Sequence, residues 1–139
     1  MATNTTSTGP VMAVAASAMR AQQARMRVIA ENIANADSTA KSPGADPYRR
    51  QMPVFQPIGV EGGGQGVKLS KVTPDPTAFK LEYAPGHPAA DKNGYIYHTN
   101  VDLAIEQVNS LEASRAYEAN VTMMETTKAM FNSSLRLIA

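Results

Sequence analysis

The chain contains no cysteine among its 139 residues, which excludes disulfide bonds and thiolate chemistry. Thirteen basic residues against twelve acidic ones leave a net charge of +1, so no broad electrostatic field favours nucleic acid or an anionic membrane. No segment is apolar enough to span a membrane, and the first ten residues lack the features of a cleavable signal peptide. We therefore expect neither direct membrane insertion nor nucleic-acid binding. The isolated pair Arg49-Arg50 predicts either a solvated strand edge or a salt-bridge donor at an interface.

Groups that could carry catalysis are equally scarce. His87 and His98 have no metal-ligand spacing with each other or with a carboxylate. The run at residues 61–66 is rich in glycine, but it lacks the Gly-Lys-Ser/Thr ending and the following helix of a phosphate-binding loop, and predicts a flexible hairpin loop. Serines in the last forty residues have no neighbouring base. We expect no enzyme activity, no catalytic residue, no cofactor and no metal.

Two long stretches with helical apolar spacing occupy the ends of the chain. The first predicts a helix over residues 11–37, after a disordered lead-in at residues 1–10. Its apolar positions alternate in steps of three and four, typical of a helix that packs lengthwise on another. Small residues are frequent among them, so this helix should be marginal without a partner. The positions are Met12, Ala15, Met19, Gln22, Met26, Ile29, Ile33 and Ala36.

The second stretch predicts a helix over residues 100–139, with Asn100 as its cap and Asp102 in its first turn. Two adjacent stripes follow its latter part. A two-stranded seam needs only one stripe, so the surplus predicts contact with more than one neighbouring helix. The stripes are Ala116, Asn120, Met123, Thr127, Met130, Ser134 and Leu137, and beside them Tyr117, Val121, Met124, Lys128, Phe131, Leu135 and Ile138.

The middle, residues 38–99, holds eight of the nine prolines and eight of the nine glycines. That density excludes long helices and predicts a small β-containing region. The clearest turn is Asn93-Gly94, because both residues tolerate positive φ and alternating residues follow them. The predicted strands are Tyr48 to Phe55, Val67 to Thr73, Ala78 to Tyr83 and Tyr95 to His98.

The expected fold is therefore mainly α with a small β-containing middle. We expect the two terminal helices to pack as an antiparallel coiled coil and to assemble side by side with neighbouring subunits. Three arginines against Glu31 in the first 36 residues give net +2, whereas five acids against three bases in residues 101–139 give net −2. This offset modestly favours antiparallel pairing, but exposed ion pairs contribute only about 0 to 1 kcal/mol each, so packing must decide.

Specific motifs lie where the first helix ends and around the second. Asn32-Ile33-Ala34-Asn35-Ala36-Asp37 resembles the N-terminal signature of bacterial flagellar axial proteins, and the aromatic-basic run Tyr48-Arg49-Arg50 follows it as in the proximal rod branch. In the second half, the runs at residues 85–91, 93–95, 100–102 and 112–120 are similar to the C type of flagellar basal-body rod proteins. Together these motifs cover nearly the whole chain.

The resemblance implies a structural subunit of the proximal rod, the periplasmic drive shaft that transmits torque from the motor to the distal rod and hook. It also implies export by the flagellar type III apparatus without a cleaved signal peptide, and other rod subunits and further copies of the chain as partners. A competing hypothesis is a soluble helical adaptor or chaperone for flagellar type III export.

Residues on the packing faces are the predicted assembly interface. We expect Asn32 and Asn35 to order the turn that leaves the first helix, and Tyr117 and Asn120 to fix helix register, because a polar group on a packing face penalises mismatched alignments. The full predicted set is Met12, Met19, Gln22, Met26, Ile29, Asn32, Ile33, Asn35, Tyr117, Asn120, Val121, Met124, Phe131, Leu135 and Ile138.

Overall fold

The computed structural model describes residues 8–138. The chain forms, in order, helix α1 (Thr8–Ala34), strands β1 (Gln51–Gly59), β2 (Gln65–Pro74), β3 (Lys80–Tyr83) and β4 (Tyr95–His98), and helix α2 (Leu103–Ile138). The prediction of a mainly α fold with a small β-containing middle is confirmed. Residues 1–7 of the predicted lead-in lie outside the described residues, whereas residues 8–10 belong to α1.

The chain divides into two compact units, each built from pieces of both helices and of the middle. Unit 1 comprises Met1–Met26, Val54–Lys71 and Leu111–Ala139, and unit 2 comprises Arg27–Pro53 and Val72–Ser110. The division into a lead-in, two axial helices and a middle region stays a prediction, and each compact unit combines residues from both helices and from the middle.

Helix α1 begins at Thr8, three residues earlier than predicted. Pro10 lies in the first turn, where the missing N–H group has no helical partner to lose. The helix ends at Ala34, and residues 35–37 form a turn. There Asn35 Nδ2 donates to the carbonyl oxygen of Glu31 at 2.8 Å and Ser38 Oγ donates to that of Asn35 at 2.8 Å. These side chains satisfy backbone groups at the helix end, as expected of residues that compete with helical hydrogen bonds.

Strands β1 and β2 pair in a two-stranded sheet. Their short connection requires an antiparallel hairpin, and it is closed by Val60 N donating to the Gly64 carbonyl oxygen at 3.2 Å. The Val60 N–H and the Arg50 carbonyl, which accepts from Asp75 N at 2.8 Å, both face the β2 side. In a regular strand, the backbone N–H groups of the odd-numbered residues between them face away from β2. Pro53 and Pro57 therefore remove no donor from the pairing with β2, and proline is tolerated at such an outer edge.

Strands β3 and β4 pair antiparallel, with Lys80 opposite His98 and Tyr83 opposite Tyr95. On the other edge of β4, Thr39 forms an antiparallel bridge with His98. The predicted Asn93-Gly94 turn is confirmed: Gly94 has a φ of 81°, and its N–H donates to the Asp91 carbonyl oxygen at 3.0 Å. This turn leads directly into β4, which has the predicted bounds.

The start of α2 corrects one prediction. Asp102 Oδ1, not Asn100, accepts hydrogen bonds from the N–H groups of Ala104 at 3.0 Å and Ile105 at 3.3 Å. Asp102 is therefore the N-cap and the helix begins at Leu103. The Asn100 side chain instead accepts a hydrogen bond from Arg50 N at 2.7 Å. A tertiary contact therefore replaces the helix cap that the local sequence predicted for Asn100.

The two units have different cores. In unit 1 the buried apolar side chains of the described residues are alanines, namely Ala15, Ala21 and Ala113. In unit 2 larger side chains are buried with the alanines, and each is at most 4% exposed: Val28, Ile29, Ala40, Ala89, Ile96 and Val101. Alanine cores allow elements to approach closely but remove little apolar area from water.

Candidate functional site

A carboxylate lies at the centre of unit 2. Glu106, in the first turns of α2, is 0% exposed. Its Oε1 accepts a hydrogen bond from Arg50 Nε at 2.7 Å, and its Oε2 accepts one from Asn32 Nδ2 at 3.1 Å. A buried charge is tolerated only when it is paired and hydrogen-bonded. Through these two hydrogen bonds, Glu106 connects α2 with α1, which carries Asn32, and with the segment before β1, which carries Arg50.

Asn32 uses its whole side-chain hydrogen-bonding capacity in this cluster. Its Oδ1 accepts from Tyr48 Oη at 2.9 Å and from Gln51 N at 2.8 Å, while its Nδ2 donates to the Gln51 carbonyl oxygen at 2.9 Å as well as to Glu106. A carboxamide has two donor hydrogens and one acceptor oxygen with two lone pairs, so all four capacities are filled. Asn32 was expected to order the turn after α1, but its side chain contacts the segment around β1 and helix α2 instead.

Arg50 bridges two carboxylates. Besides Glu106, its Nη1 contacts Asp75 Oδ2 at 3.0 Å. Partial burial acts to lower the pKa of Arg50, but the hydrogen bonds and charges of Glu106 and Asp75 outweigh it and the pKa is raised. The pKa of Asp75 is lowered, first by hydrogen bonds from the Thr77 side chain and backbone and then by Arg50. Burial, followed by the charges of Glu31 and Glu106, raises the pKa of Tyr48.

The other arginine of the basic pair is also engaged within unit 2. Arg49 Nη1 donates to the carbonyl oxygens of Asp75 and Thr77, both at 3.0 Å, and its guanidinium carbon lies 4.0 Å from the centre of the Phe79 ring. Asn100 Nδ2 donates to the same two carbonyl oxygens, at 3.3 and 3.0 Å. The loop after β2 is therefore hydrogen-bonded both to Arg49, which precedes β1, and to Asn100, which follows β4.

We call the set Asn32, Tyr48, Arg50, Gln51, Asp75 and Glu106 the polar lock. Both oxygens of Glu106 and every polar group of the Asn32 side chain have partners within the chain. Such an arrangement holds one alignment of four distant segments, since any shift would leave a buried charge without its partner.

In unit 1, the contact between α1 and β2 depends on a serine and a glycine. Ser17 Oγ donates to the Val14 carbonyl oxygen at 2.7 Å and accepts from Val67 N at 3.1 Å. A Cβ atom on Gly66 would lie 2.6 Å from Ser17 Oγ. The backbone of β2 therefore approaches α1 as closely as only glycine allows.

Arg25 and Met26 of α1 make side-chain contacts with α2 within unit 1. Arg25 Nη2 lies 3.3 Å from Glu112 Oε2 in a partly exposed ion pair, and Ser114 Oγ lies 3.7 Å from Met26 Sδ. Asn120, expected to fix register, donates through Nδ2 to the Ala116 carbonyl oxygen of its own helix at 2.9 Å. The Gln22 Oε1 atom is buried and has no hydrogen-bond partner among the described residues.

The predicted interface residues fall into three groups by exposure. Ile29 and Asn32 are buried, at 4% and 1% exposed. Phe131, Leu135 and Ile138 are exposed, at 37%, 47% and 81%. The rest are half-buried: Met12, Met19, Gln22, Met26, Ile33, Asn35, Tyr117, Asn120, Val121 and Met124. Their role as an assembly interface stays a prediction.

Sequence reasoning missed the centre of the lock. Glu106 was counted only as one of the acids of the second helix, although it lies seven residues before Ala113 and fourteen before Asn120, on one side of α2. That heptad spacing was the available signal. The close contact of Ser17 with Gly66 was also missed, because nothing local in the sequence links a helix serine to a glycine fifty residues later.

The histidines lie as loop and strand-end residues. Ala89 N donates to His87 Nδ1 at 3.1 Å, and His98 Nε2 lies 2.7 Å from Glu82 Oε2. Within residues 8–138, no group of three or more histidine, aspartate or glutamate side chains is placed to hold a metal ion. No helix in this part of the chain is both long and apolar enough to cross a membrane.

The terminal helices and the turns beside them match two known families. Residues 12–40 match the family described as flagella basal body rod protein, and residues 92–137 match flagellar basal body rod FlgEFG protein C-terminal. These matches define the class as that of the flagellar rod proteins.

Individual relatives narrow the class. The chain is 43% identical over 125 residues to flagellar basal-body rod protein FlgC of Salmonella typhimurium, covering 89% of this chain and 92% of that protein. The FlgC proteins of Agrobacterium fabrum and Bacillus subtilis are each 40% identical, over 126 and 140 residues, covering 90% and 89% of this chain and 91% and 93% of theirs. The chain belongs to the FlgC family of flagellar basal-body rod proteins.

Proposed function

We propose that this chain, a structural subunit of the flagellar proximal rod, carries torque through side-by-side packing of its two terminal helices with those of neighbouring subunits. The observation that carries this proposal is the end of α2. Every residue from 128 to 138 is exposed, and large apolar side chains are frequent among them. They are Met130, Phe131, Leu135, Leu137 and Ile138, at 66%, 37%, 47%, 89% and 81% exposed.

An exposed apolar stripe of this length needs a partner surface. A helix that is apolar on a face not covered by its own chain marks an interaction site. In a family of structural rod proteins, the partners that fit are the helices of adjacent subunits. Burying these side chains side by side would give the stiff lateral contact through which a shaft transmits torque.

We further infer that α1 and α2 pair antiparallel. Within unit 1, Arg25 and Met26 contact Glu112 and Ser114. Within unit 2, Asn32, later in α1, contacts Glu106, earlier in α2. The order of these contacts supports the antiparallel direction, and heptad-spaced positions on α2 support coiled-coil packing.

The location and route are proposed from the family. We place the chain in the periplasmic part of the basal body, with other rod subunits and its own copies as partners, and we propose export by the flagellar type III apparatus without cleavage of a signal peptide. We propose neither nucleic-acid binding nor direct membrane insertion, because the arginines of the basic pair are engaged within unit 2. The adaptor hypothesis is not favoured, since the relatives are rod proteins.

The test is mass spectrometry of purified basal bodies, with a strain deleted for this chain as the control. The chain should be present in the rods, and the deletion should leave rings without rod or hook. A peptide spanning residues 1–20 in the rods would support export without cleavage. A chain that is absent from basal bodies but soluble and folded in the cytoplasm would restore the adaptor hypothesis.

A further inference from the structure

The glycine-rich loop of the β1–β2 hairpin lies along the first turns of α1. Every second residue of this loop is a glycine that approaches one residue of the helix. The three pairs are Gly62 with Pro10, Gly64 with Val14 and Gly66 with Ser17. A Cβ atom on the glycine would lie 2.8 Å from a helix side-chain atom in the first pair, 3.5 Å in the second and 2.6 Å in the third. The first and third distances are shorter than any carbon atom tolerates, so only glycine allows this approach. We call residues 60–67 the strap.

The strap follows α1 rather than touching it at one point. Its three helix partners are separated by steps of four and three residues, so they share one face of α1 and rise about 10 Å along its axis. Residue numbers increase together in the three pairs, so the strap and the helix run in the same direction. At the far end, Val67 N donates to Ser17 Oγ at 3.1 Å, and this hydrogen bond fixes the register.

The first three turns of α1 are only weakly stabilised by their own sequence. Gly9 is a poor helix former. The buried side chains of this segment, Ala15 and Ser17, are small and remove little apolar area from water. A helix of this composition needs tertiary contacts to stay ordered. The strap supplies such contacts on the face that carries Pro10, Val14 and Ser17.

The strap contacts α1 on the side opposite to its predicted assembly positions. At 100° per residue, Met12 and Met19 lie about 170° around the helix from the face that the strap contacts. Both methionines are half-buried, and residues 61–65 of the strap are exposed. The strap therefore holds the helix from behind and leaves the side of Met12 and Met19 clear of the hairpin.

We propose that the strap orders residues 8–17 of α1 and thereby presents Met12 and Met19 to a neighbouring subunit. A segment that is ordered before it docks loses less conformational entropy on docking. The presentation to a neighbour rests on the proposed function as a rod subunit, whereas the ordering of α1 is a property of the single chain. The glycine-rich run, which the sequence predicts as a flexible hairpin loop, is thus a positioning element.

Hydrogen exchange of the purified chain tests the ordering. Gly62→Ala places a Cβ atom against Pro10, so amides of residues 12–17 should exchange about tenfold faster than in the parent chain. Gly63→Ala is the matched control. Gly63 also has a positive φ, 95° against 86° at Gly62, but nothing lies within 4 Å of its added Cβ. Exchange of residues 12–17 should therefore stay at the parent rate in Gly63→Ala, and equal rates in the two variants would overturn the proposal.

A rescue variant identifies the contact. Pro10→Ala removes the ring carbon that the added methyl group of Gly62→Ala would meet. In a Pro10→Ala background, Gly62→Ala should therefore change the exchange of residues 12–17 by less than about twofold, because the two positions are coupled through this contact. A tenfold effect that persists in this background would contradict the assigned contact.

Incorporation into rods tests the presentation of α1. Quantitative mass spectrometry should find about threefold less chain in basal bodies of a Gly62→Ala strain than in those of a Gly63→Ala strain, because fewer copies are ready to dock. Equal incorporation, with faster exchange of residues 12–17 in the free chain, would overturn the role in assembly. Absence of the parent chain from basal bodies would instead overturn the proposed function, and the exchange rates would still decide whether the strap orders α1.

Discussion

The two units differ in how many of their large apolar side chains are buried within the chain itself. Unit 2 buries valine and isoleucine side chains together with a fully paired carboxylate, Glu106. Unit 1 buries alanines and Ser17 while it leaves the large side chains at the end of α2 exposed. Burial of a large apolar side chain stabilises by about 1.5 to 3 kcal/mol, and alanine offers far less. Unit 2 thus completes more of its apolar burial within the chain, and unit 1 leaves large apolar side chains of α2 available to the neighbouring subunits that we propose.

The ion pairs that two glutamates of α2 form, one in each unit, show the same difference. The Glu106 side chain is 0% exposed where it meets Arg50, whereas Glu112 is 61% exposed where it meets Arg25. A buried pair specifies one alignment because breaking it leaves a charge in a low-dielectric site. An exposed pair is screened by water and specifies little.

The largest effect is expected from Glu106→Ala. Removal of this carboxylate leaves Arg50 Nε and one hydrogen of Asn32 Nδ2 without their acceptor inside unit 2, so the free energy of unfolding should fall by about 3 to 5 kcal/mol. Glu112→Ala is the matched control and should lower it by at most about 1 kcal/mol. Denaturant titration of the purified chain measures both, and equal losses would contradict the contrast between the units.

Phe131→Ala should separate folding from assembly. Phe131 is 37% exposed, so truncation should lower the free energy of unfolding of the free chain by only about 1 to 2 kcal/mol. In the rod, loss of the Phe131 side chain should weaken the contact with the neighbouring subunit by about 2 to 5 kcal/mol. The variant should therefore not swim. Met124→Ala, at a half-buried position, should also abolish swimming, and Asn132→Ala is the exposed control. Normal motility of both Phe131→Ala and Met124→Ala on soft agar would refute the proposed helix interface.

Gly66→Ala should produce a smaller effect, confined to unit 1. A Cβ there would lie 2.6 Å from Ser17 Oγ and 2.9 Å from Val60 Cγ1, and such overpacking destabilises by about 1 to 3 kcal/mol. Gly59→Ala is the control, because nothing lies within 4 Å of its added Cβ. Hydrogen exchange should show faster exchange at Val67, whose N–H bonds to Ser17. Unchanged exchange there would show that β2 does not depend on this close approach.

The smallest effect is expected from the pH dependence of the polar lock. The pKa of Asp75 is lowered in the folded chain, so its stabilising contribution is complete above the unfolded value of about 3.9 and is lost as the pH falls through the folded value. Melting temperatures between pH 6 and pH 2.5 should therefore fall less steeply in Asp75→Asn than in the parent chain. Parallel curves would contradict a charged role for Asp75.

Local features of the fold were predictable because local chemistry determines them. Apolar spacing without internal proline or glycine indicated α2, and the Asn93-Gly94 turn placed the start of β4. The bounds of β1 were wrong at both ends, since Tyr48 belongs to the polar lock and Pro57 is accepted at an outer edge. Neither fact can be read from a strand pattern alone.

The cap of α2 and the polar lock were missed for a shared reason. Asn100 and Asp102 are both good caps, and the choice between them depends on Arg50 N, which lies fifty residues before Asn100 in the chain. The burial of Glu106 likewise depends on Arg50 and Asn32, which tertiary structure brings to it. Sequence patterns identify the faces of helices, but pairing between distant polar groups emerges only when the faces meet.

Hydrogen exchange measured by mass spectrometry, on the free chain and on isolated basal bodies, tests the contrast between the units most directly. Amides of residues 103–110 should exchange slowly in both samples, because the polar lock holds that part of α2. Amides of residues 128–138 should exchange rapidly in the free chain and slowly in the rod, where neighbouring subunits cover them. Slow exchange at residues 128–138 in the free chain, or fast exchange there in the rod, would contradict the account.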